Sequence, residues 1–338
     1  MGTMAHNLDQ RSLVSEDDNL KSLLEFIRQY SGLNSKKDIA QVSQLLPSLP
    51  ANWQPNGDDT AAIPTDNGYQ LFAIEGMQPK LVAEQPWFAG WCSVMVNCSD
   101  IAAMGGRPTA LVNAVWNTDD KAHLTELMRG ITDAAKQLNV TMVGGHTSLN
   151  SENPYLAVSI IGHANALLSS FAAKPGDVLV AAIDLRGQFQ GNSLNWNAAT
   201  TAPEGRLRDD LEILPTIAEK EFAHAAKDIS QAGLLGTTVM MLESSNVGAT
   251  INLEQIPKPE QVALKDWLRA FPSFGYLLAT CKNKVPDLLQ QFHQRKISAA
   301  VIGEFNSSKN LEVTIDNQSE IFYDLNNEAL TGFKDSRN

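Results

Sequence analysis

Asp58 and Asp59 stand side by side in the turn Asn56-Gly57-Asp58-Asp59-Thr60-Ala61. Adjacent carboxylates repel, so a folded chain tolerates them best beside a cation. Oxygen-only ligands favour Mg²⁺, Mn²⁺ or Ca²⁺, and Mg²⁺ is usually held by one or two carboxylates together with substrate phosphates. The same residues also make an ordinary solvated turn, so the pair gains meaning only from the rest of the chain. Glu75 closes the apolar run Ala73-Ile74, where an acid either faces solvent or serves a site. Asn97 and Asp100 lie three apart, on one face of a helix otherwise built from small and apolar residues such as Val94, Val96, Ile101 and Ala102. A charge in such a helix requires a partner, a cap or a metal.

Two glycine-containing segments add to these acids. In Val143-Gly144-Gly145-His146-Thr147, two glycines after a strand would let backbone N–H groups approach a phosphate, with His146 as a donor or a plain loop histidine. The segment is neither a Walker A loop nor a dinucleotide fingerprint, and a Gly-Gly turn is commonly structural. In the segment from Lys227 to Gly236, Asp228 precedes a small-residue turn into a helix. That helix start would bind an anion through its free N–H groups, or Asp228 and Ser230 would be ordinary caps. The chain has no nucleophile elbow, no H-E-x-x-H and no His/Cys cluster in sequence. His6, His123, His163, His224 and His293 are expected to be structural or exposed. Cys92, Cys98 and Cys281 are expected to be buried thiols rather than zinc ligands, suited to a reducing cytoplasm.

The elements that must position these residues alternate along the chain. Leu20, Leu23, Leu24 and Ile27 recur at helical spacing after a possible Ser15/Asp18 capping box, and Ile39, Val42, Leu45 and Leu46 predict a second short helix. Strands are expected at 60–63, 70–75, 109–116, 140–143 and 155–162, with helices at 88–104 and 119–138. The turn-rich link 171–177 precedes a strand at 178–183 and a polar, aperiodic stretch at 186–206. Helices are then expected at 208–227, 231–244, 259–270 and 284–295, and strands at 248–252, 275–281, 298–304 and 310–315. This is an α/β or α+β layout. It divides into an N-terminal helical extension (1–54), a first domain (55–170), a second domain (171–320) and a tail (321–338), polar and loose after 325.

The chain has 338 residues, 43% hydrophobic and 19% charged, and a net charge of −12. The acidity argues against a nonspecific nucleic-acid surface, although nucleotide phosphates can still be met by a metal and backbone N–H groups. No apolar run reaches the roughly 18 residues of a membrane span, and the first residues lack a signal pattern. A cytoplasmic protein with a small-molecule substrate, and with neither nucleic-acid nor membrane partners, is expected.

Taken in order, the segments resemble the aminoimidazole ribonucleotide synthetase-like superfamily. Its members include thiamine-monophosphate kinase, selenophosphate synthetase, a hydrogenase-maturation dehydratase and two purine-pathway synthetases. The resemblance runs from about residue 55 to 315 and is most specific in Asn97-Cys98-Ser99-Asp100-Ile101-Ala102-Ala103-Met104-Gly105-Gly106-Arg107-Pro108. Gly57-Asp58-Asp59 looks like the thiamine-phosphate kinase form of the first acidic motif. Gly144 to Thr147, and Asp228 with Gly233 to Gly236, look closer to selenophosphate synthetase, and Lys174-Pro175-Gly176-Asp177 matches the interdomain link.

The resemblance implies a two-domain AIR synthase-like fold. The first domain would close a β-barrel with its twin in a homodimer, ATP would lie near that interface, and the second domain would be α/β. It implies that Asp58, Asp59, Glu75, Asp100 and Asp228 surround Mg²⁺ and the ATP phosphates, with Asp58 and Asp228 catalytic. Asn97, Asp100, Gly144, Gly145, His146 and Thr147 would bind the nucleotide. The implied activity is Mg-ATP-dependent phosphorylation or activation of a small metabolite. Thiamine-monophosphate kinase is one alternative, and a non-catalytic nucleotide-binding partner protein is another. Leu71 and Gln231 stand where thiamine-phosphate kinases carry acids, there is no Gly-rich N-terminal arm with a catalytic Cys or Lys, and there is no C-terminal Cys tail. These departures point to a separate branch.

Overall fold

The computed structural model describes residues 19–333, so the proposed Ser15/Asp18 capping box lies outside the described residues. The first helix, Leu20–Arg28, is capped instead by Asn19, whose side chain accepts the Ser22 N–H. Its apolar face (Leu20, Leu23, Leu24, Ile27) does not stand apart as an extension. It joins the core of the second domain, and Arg28 donates to the carbonyls of Phe322 and Ile321 at 2.8 and 2.6 Å.

The first domain contains β1 (Ala61–Thr65), β2 (Gly68–Gly76), β3 (Arg107–Trp116), β4 (Thr141–Ser148) and β5 (Tyr155–Ala164) in one sheet of order β1-β2-β5-β3-β4. The helices Pro86–Ala103 and Lys121–Leu138 supply its core together with one face of that sheet. The other face leaves Phe72, Ile74, Val112, Trp116, Tyr155 and Ile161 exposed. The sheet is open within the one chain.

One expectation fails in β4. Gly144 and Gly145 form no turn; the strand runs through them to Ser148, beside β3. A Cβ on Gly145 would sit 1.8 Å from the Asn113 side chain of β3, so close strand approach, not a loop, accounts for that glycine.

The second domain centres on a seven-stranded mixed sheet of order β15-β14-β10-β13-β6-β12-β9. Its strands are β6 (Val178–Ile183), β9 (Ala225–Asp228), β10 (Gly248–Asn252), β12 (Gly275–Thr280), β13 (Ser298–Asn306), β14 (Asn310–Ile315) and β15 (Gln318–Asp324). Every residue of β6, β9 and β12 is buried. This follows from cores on both faces: the Gly233–Ser245 helix lies on one side, and Ile213–Glu219 and Val285–His293 on the other. The polar stretch after 186 supplies β7 (Gln188–Phe189) and β8 (Asn195–Asn197), which join β11 (Phe271–Pro272) in a small third sheet.

The expected 208–227 helix is replaced by Arg206–Leu211, Ile213–Glu219 and then β9; Glu221, at φ 53°, ends the helical run. Only Leu264–Trp267 of the expected 259–270 helix forms. The tail is not loose up to residue 333. β15 pairs with β14, and buried Glu243 accepts the backbone N–H groups of Leu330, Thr331 and Gly332 at 2.9, 2.7 and 3.1 Å. No described helix is long and apolar enough to cross a membrane.

Candidate active site

Acids from four segments meet in one cleft between the domains. Asp58 and Asp59 come from the turn before β1, Glu75 from the end of β2, Asp100 from the Pro86–Ala103 helix and Asp228 from the end of β9. The cleft holds about 800 Å³, within the range of small-molecule and cofactor sites. Lys36 and Ile39 reach it from the N-terminal segment, and Thr331 and Phe333 from the C-terminal one. Gly57 takes φ +109° directly under Phe333, a place no side chain fits.

The two turn aspartates are tied down. Ser169 Oγ donates to Asp58 at 2.6 Å and the Ser170 N–H at 3.2 Å. Asp59 pairs with the buried ammonium of Lys227 and accepts the Asp228 N–H at 3.3 Å. Burial works against the Lys227 charge, but Asp59, Asp58 and Asp228 outweigh it and hold the ammonium above its ordinary range. Lys227 is the principal residue that sequence reading missed. Its signal was a lysine beside an aspartate in the apolar run Ala225-Ala226, which reads equally well as a polar helix face.

Asp100 is different. It is 6% exposed, and its Oδ2 has no hydrogen-bond partner among the described residues. Burial first, then Asp228, Glu75 and Asp59, push its carboxyl well above the carboxylate range. Asp228 is pushed up to about 7 by burial and Asp59, against the pull of Lys227 and Lys36. Burial and Asp59 raise Asp58 as well. Other unpartnered buried polar atoms sit beside the cluster in sequence or across the sheet: Thr60 Oγ1 next to Asp59, Ser170 Oγ, Ser230 Oγ, and the hydroxyl of Tyr276, the residue opposite Asp228 in the ladder. An acid site short of cations and rich in unsatisfied oxygens suits a hard divalent ion.

The other expected residues lie elsewhere. Asn97 does not line the cleft. Its amide donates to Ser93 O at 2.8 Å and Val158 O at 3.1 Å, pinning the Asp100 helix to β5. Gly144, Gly145, His146 and Thr147 lie exposed on the edge strand β4, outside the cleft of the single chain. Leu71 is a fully buried core residue, and Gln231 accepts a hydrogen bond from Gln78 across the cleft at 3.0 Å.

Comparison with known proteins supports the two-domain fold. Residues 57–164 match the N-terminal domain of AIR synthase related protein, and 174–316 match its C-terminal domain. Protein sll0787 of Synechocystis is 41% identical, across 82% of this chain and 86% of its own. Protein MJ0640 of Methanocaldococcus jannaschii is 35% identical, across 93% and 99%. A selenide, water dikinase of Myxococcus xanthus is 26% identical, across 71% and 72%. Among solved structures, Thermotoga maritima PurL complexed with ATP superposes with TM-score 0.73 at 19% identity over 92% of this chain, which spans 52% of that PurL chain. AaThiL complexed with AMPPCP and TMP superposes with TM-score 0.64 at 17% identity, across 84% and 96%. At these identities the structures speak for the fold alone. The first match contains Asp58, Asp59, Glu75 and Asp100 and the second contains Asp228, and the chain belongs to the AIR synthase related family.

Proposed function

We propose that this chain is a Mg-ATP-dependent enzyme that phosphorylates or activates a small molecule. The observation that carries the reading is Asp100, a buried carboxylate with an unpartnered oxygen in a cleft it shares with Asp228 and Glu75. These three would hold the metal, which supplies charge neutralisation at phosphate oxygens. Asp58 and Asp59, fixed by Ser169, Ser170 and Lys227, would orient the rest of the acid set, and Asp59 would keep Lys227 charged toward the phosphates. Asp58 and Asp228 remain the proposed catalytic pair.

The exposed apolar face of the first sheet supports a homodimer with a second copy over Phe72, Ile74 and Val112. In that assembly Gly144 to Thr147, on the adjoining edge strand, would serve the nucleotide; Asn97 would act only by fixing the Asp100 helix. Gln231 hydrogen-bonds with Gln78 where thiamine-phosphate kinases carry an acid, so nothing in the cleft favours that kinase over an unassigned acceptor.

The test is thermal unfolding with and without Mg-ATP, followed by ADP release across a metabolite panel. At about 100 times its dissociation constant Mg-ATP should stabilise the fold by roughly 2.7 kcal/mol. Stabilisation without ADP release with any acceptor would favour the non-catalytic binding protein. Absence of any Mg-dependent stabilisation would sink both readings.

A further inference from the structure

A second group of metal-ligating side chains lies outside the acidic cleft. Asp177, His224 and Cys281 each offer a ligand atom, and these atoms lie within 4.8 Å of one another. The sheet register brings them together. Thr280 of β12 faces Val178 of β6, and Ala279 faces Ala225 of β9, so the residues flanking these strands share one end of the sheet. His224 Nε2 lies 2.6 Å from Asp177 Oδ2, and that oxygen also accepts the Lys174 N–H at 2.8 Å, which fixes the carboxylate. Asp177 is buried, His224 half-exposed and Cys281 exposed, which leaves an entry path and room for a water ligand. Cys281 is thus not the buried thiol expected from the sequence.

We propose that Asp177, His224 and Cys281 bind Zn²⁺ or a similar transition-metal ion. The donor set argues for this class. One thiolate, one imidazole and one carboxylate suit a borderline-soft ion, whereas the all-oxygen cleft suits Mg²⁺. Tetrahedral bonds of about 2.0–2.3 Å place ligand atoms roughly 3.3–3.7 Å apart, so closure from the present spacing takes small side-chain movements. The ion would replace the His224–Asp177 hydrogen bond and displace the thiol proton to solvent.

The site lies at the opposite end of β9 from Asp228 and touches the cleft through one chain of contacts. The Ser169 N–H donates to the His224 carbonyl at 3.3 Å, and Ser169 Oγ holds Asp58. An ion that fixes His224 therefore steadies the support of Asp58.

The experiment uses the full chain, stripped with a chelator and kept in millimolar Mg²⁺, and titrates Zn²⁺ against a chromophoric competitor. The wild type should show a tight site that Cys281→Ser and His224→Asn weaken by more than the roughly tenfold that even outer-shell changes cost. Co²⁺-loaded wild type should show thiolate-to-cobalt charge-transfer absorption that Cys281→Ser lacks. Cys281 is exposed and its sulfur makes no hydrogen bond among the described residues, so Cys281→Ser tests the ligand without testing the fold. The acidic cleft is intact in both proteins, so any zinc it takes cancels in the comparison. Equal Zn²⁺ affinity in wild type and Cys281→Ser, or no site that competes with the chelator, would overturn the proposal.

Discussion

Asp100 pairs burial with an unpartnered oxygen, and that combination predicts an unusual substitution profile. Asp100→Asn removes the charge but keeps the shape. It should leave the melting temperature equal or higher, because an uncompensated buried acid is relieved. It should also weaken Mg-ATP by at least about tenfold, or about 1.4 kcal/mol. Calorimetric titration of Mg-ATP beside a melting curve checks both halves, and normal binding would remove Asp100 from the metal set. The acids also give the protein a pH dependence of definite sign. Asp228 titrates near 7 in the fold, above the roughly 3.9 of a free aspartate, so folding favours its protonated form. Its contribution to stability is complete below the unfolded value and is lost as pH rises through 7. Metal-free protein should therefore melt lower at pH 8 than at pH 5, and Mg²⁺ should narrow the gap by favouring the ionised acids. A melting temperature that rises with pH in the absence of metal would refute this. Asp58, Asp59, Asp100 and Asp228 were legible in sequence because each carries charge into glycine-rich or apolar surroundings. Lys227 was not, since nothing local distinguishes a buried ammonium from a solvated one; its partner Asp59 is 168 residues away.

At the scale of elements, long amphipathic helices and the six-residue buried strands β6 and β12 were legible, and the four-residue β9 was not. Leu127, Ile131 and Ala134 mark the buried face of Lys121–Leu138 by spacing alone. β9 has four residues, all buried, two of them charged, so neither period nor polarity betrays it. β15 hides for the opposite reason: its first four residues are exposed on a sheet edge, and the tail that follows the strand reads as polar and loose. That tail depends on Glu243, whose carboxylate takes three backbone N–H groups and the Thr331 hydroxyl. Bonds to a charged group contribute about 1.5–3 kcal/mol each, with much overlap. Glu243→Gln, which turns an amide donor toward those donors, should cost about 2–4 kcal/mol in urea unfolding. It should also open residues 325–333 to early proteolysis. Unchanged stability with a protected tail would show that the carboxylate is not the anchor.

For the whole molecule, the uncovered face of the first sheet carries the proposed dimer. Ile74 is 66% exposed on that face, and Ile74→Lys should convert a dimer into a monomer by light scattering, with melting largely preserved because the residue lies outside the core. A wild-type monomer at micromolar concentration would remove the second copy from the reading. The inventory of recognisable domains and the inventory of parts also differ. The family matches cover 57–164 and 174–316, yet Lys36, Ile39, Thr331 and Phe333 wall the cleft from beyond them, and Leu20 to Ile27 fill the core of the second domain. A chain trimmed to its recognisable domains would bare a hydrophobic face and unroof its own cleft. The inherited family signature and the smallest heritable unit that can fold and work are therefore different lengths of gene.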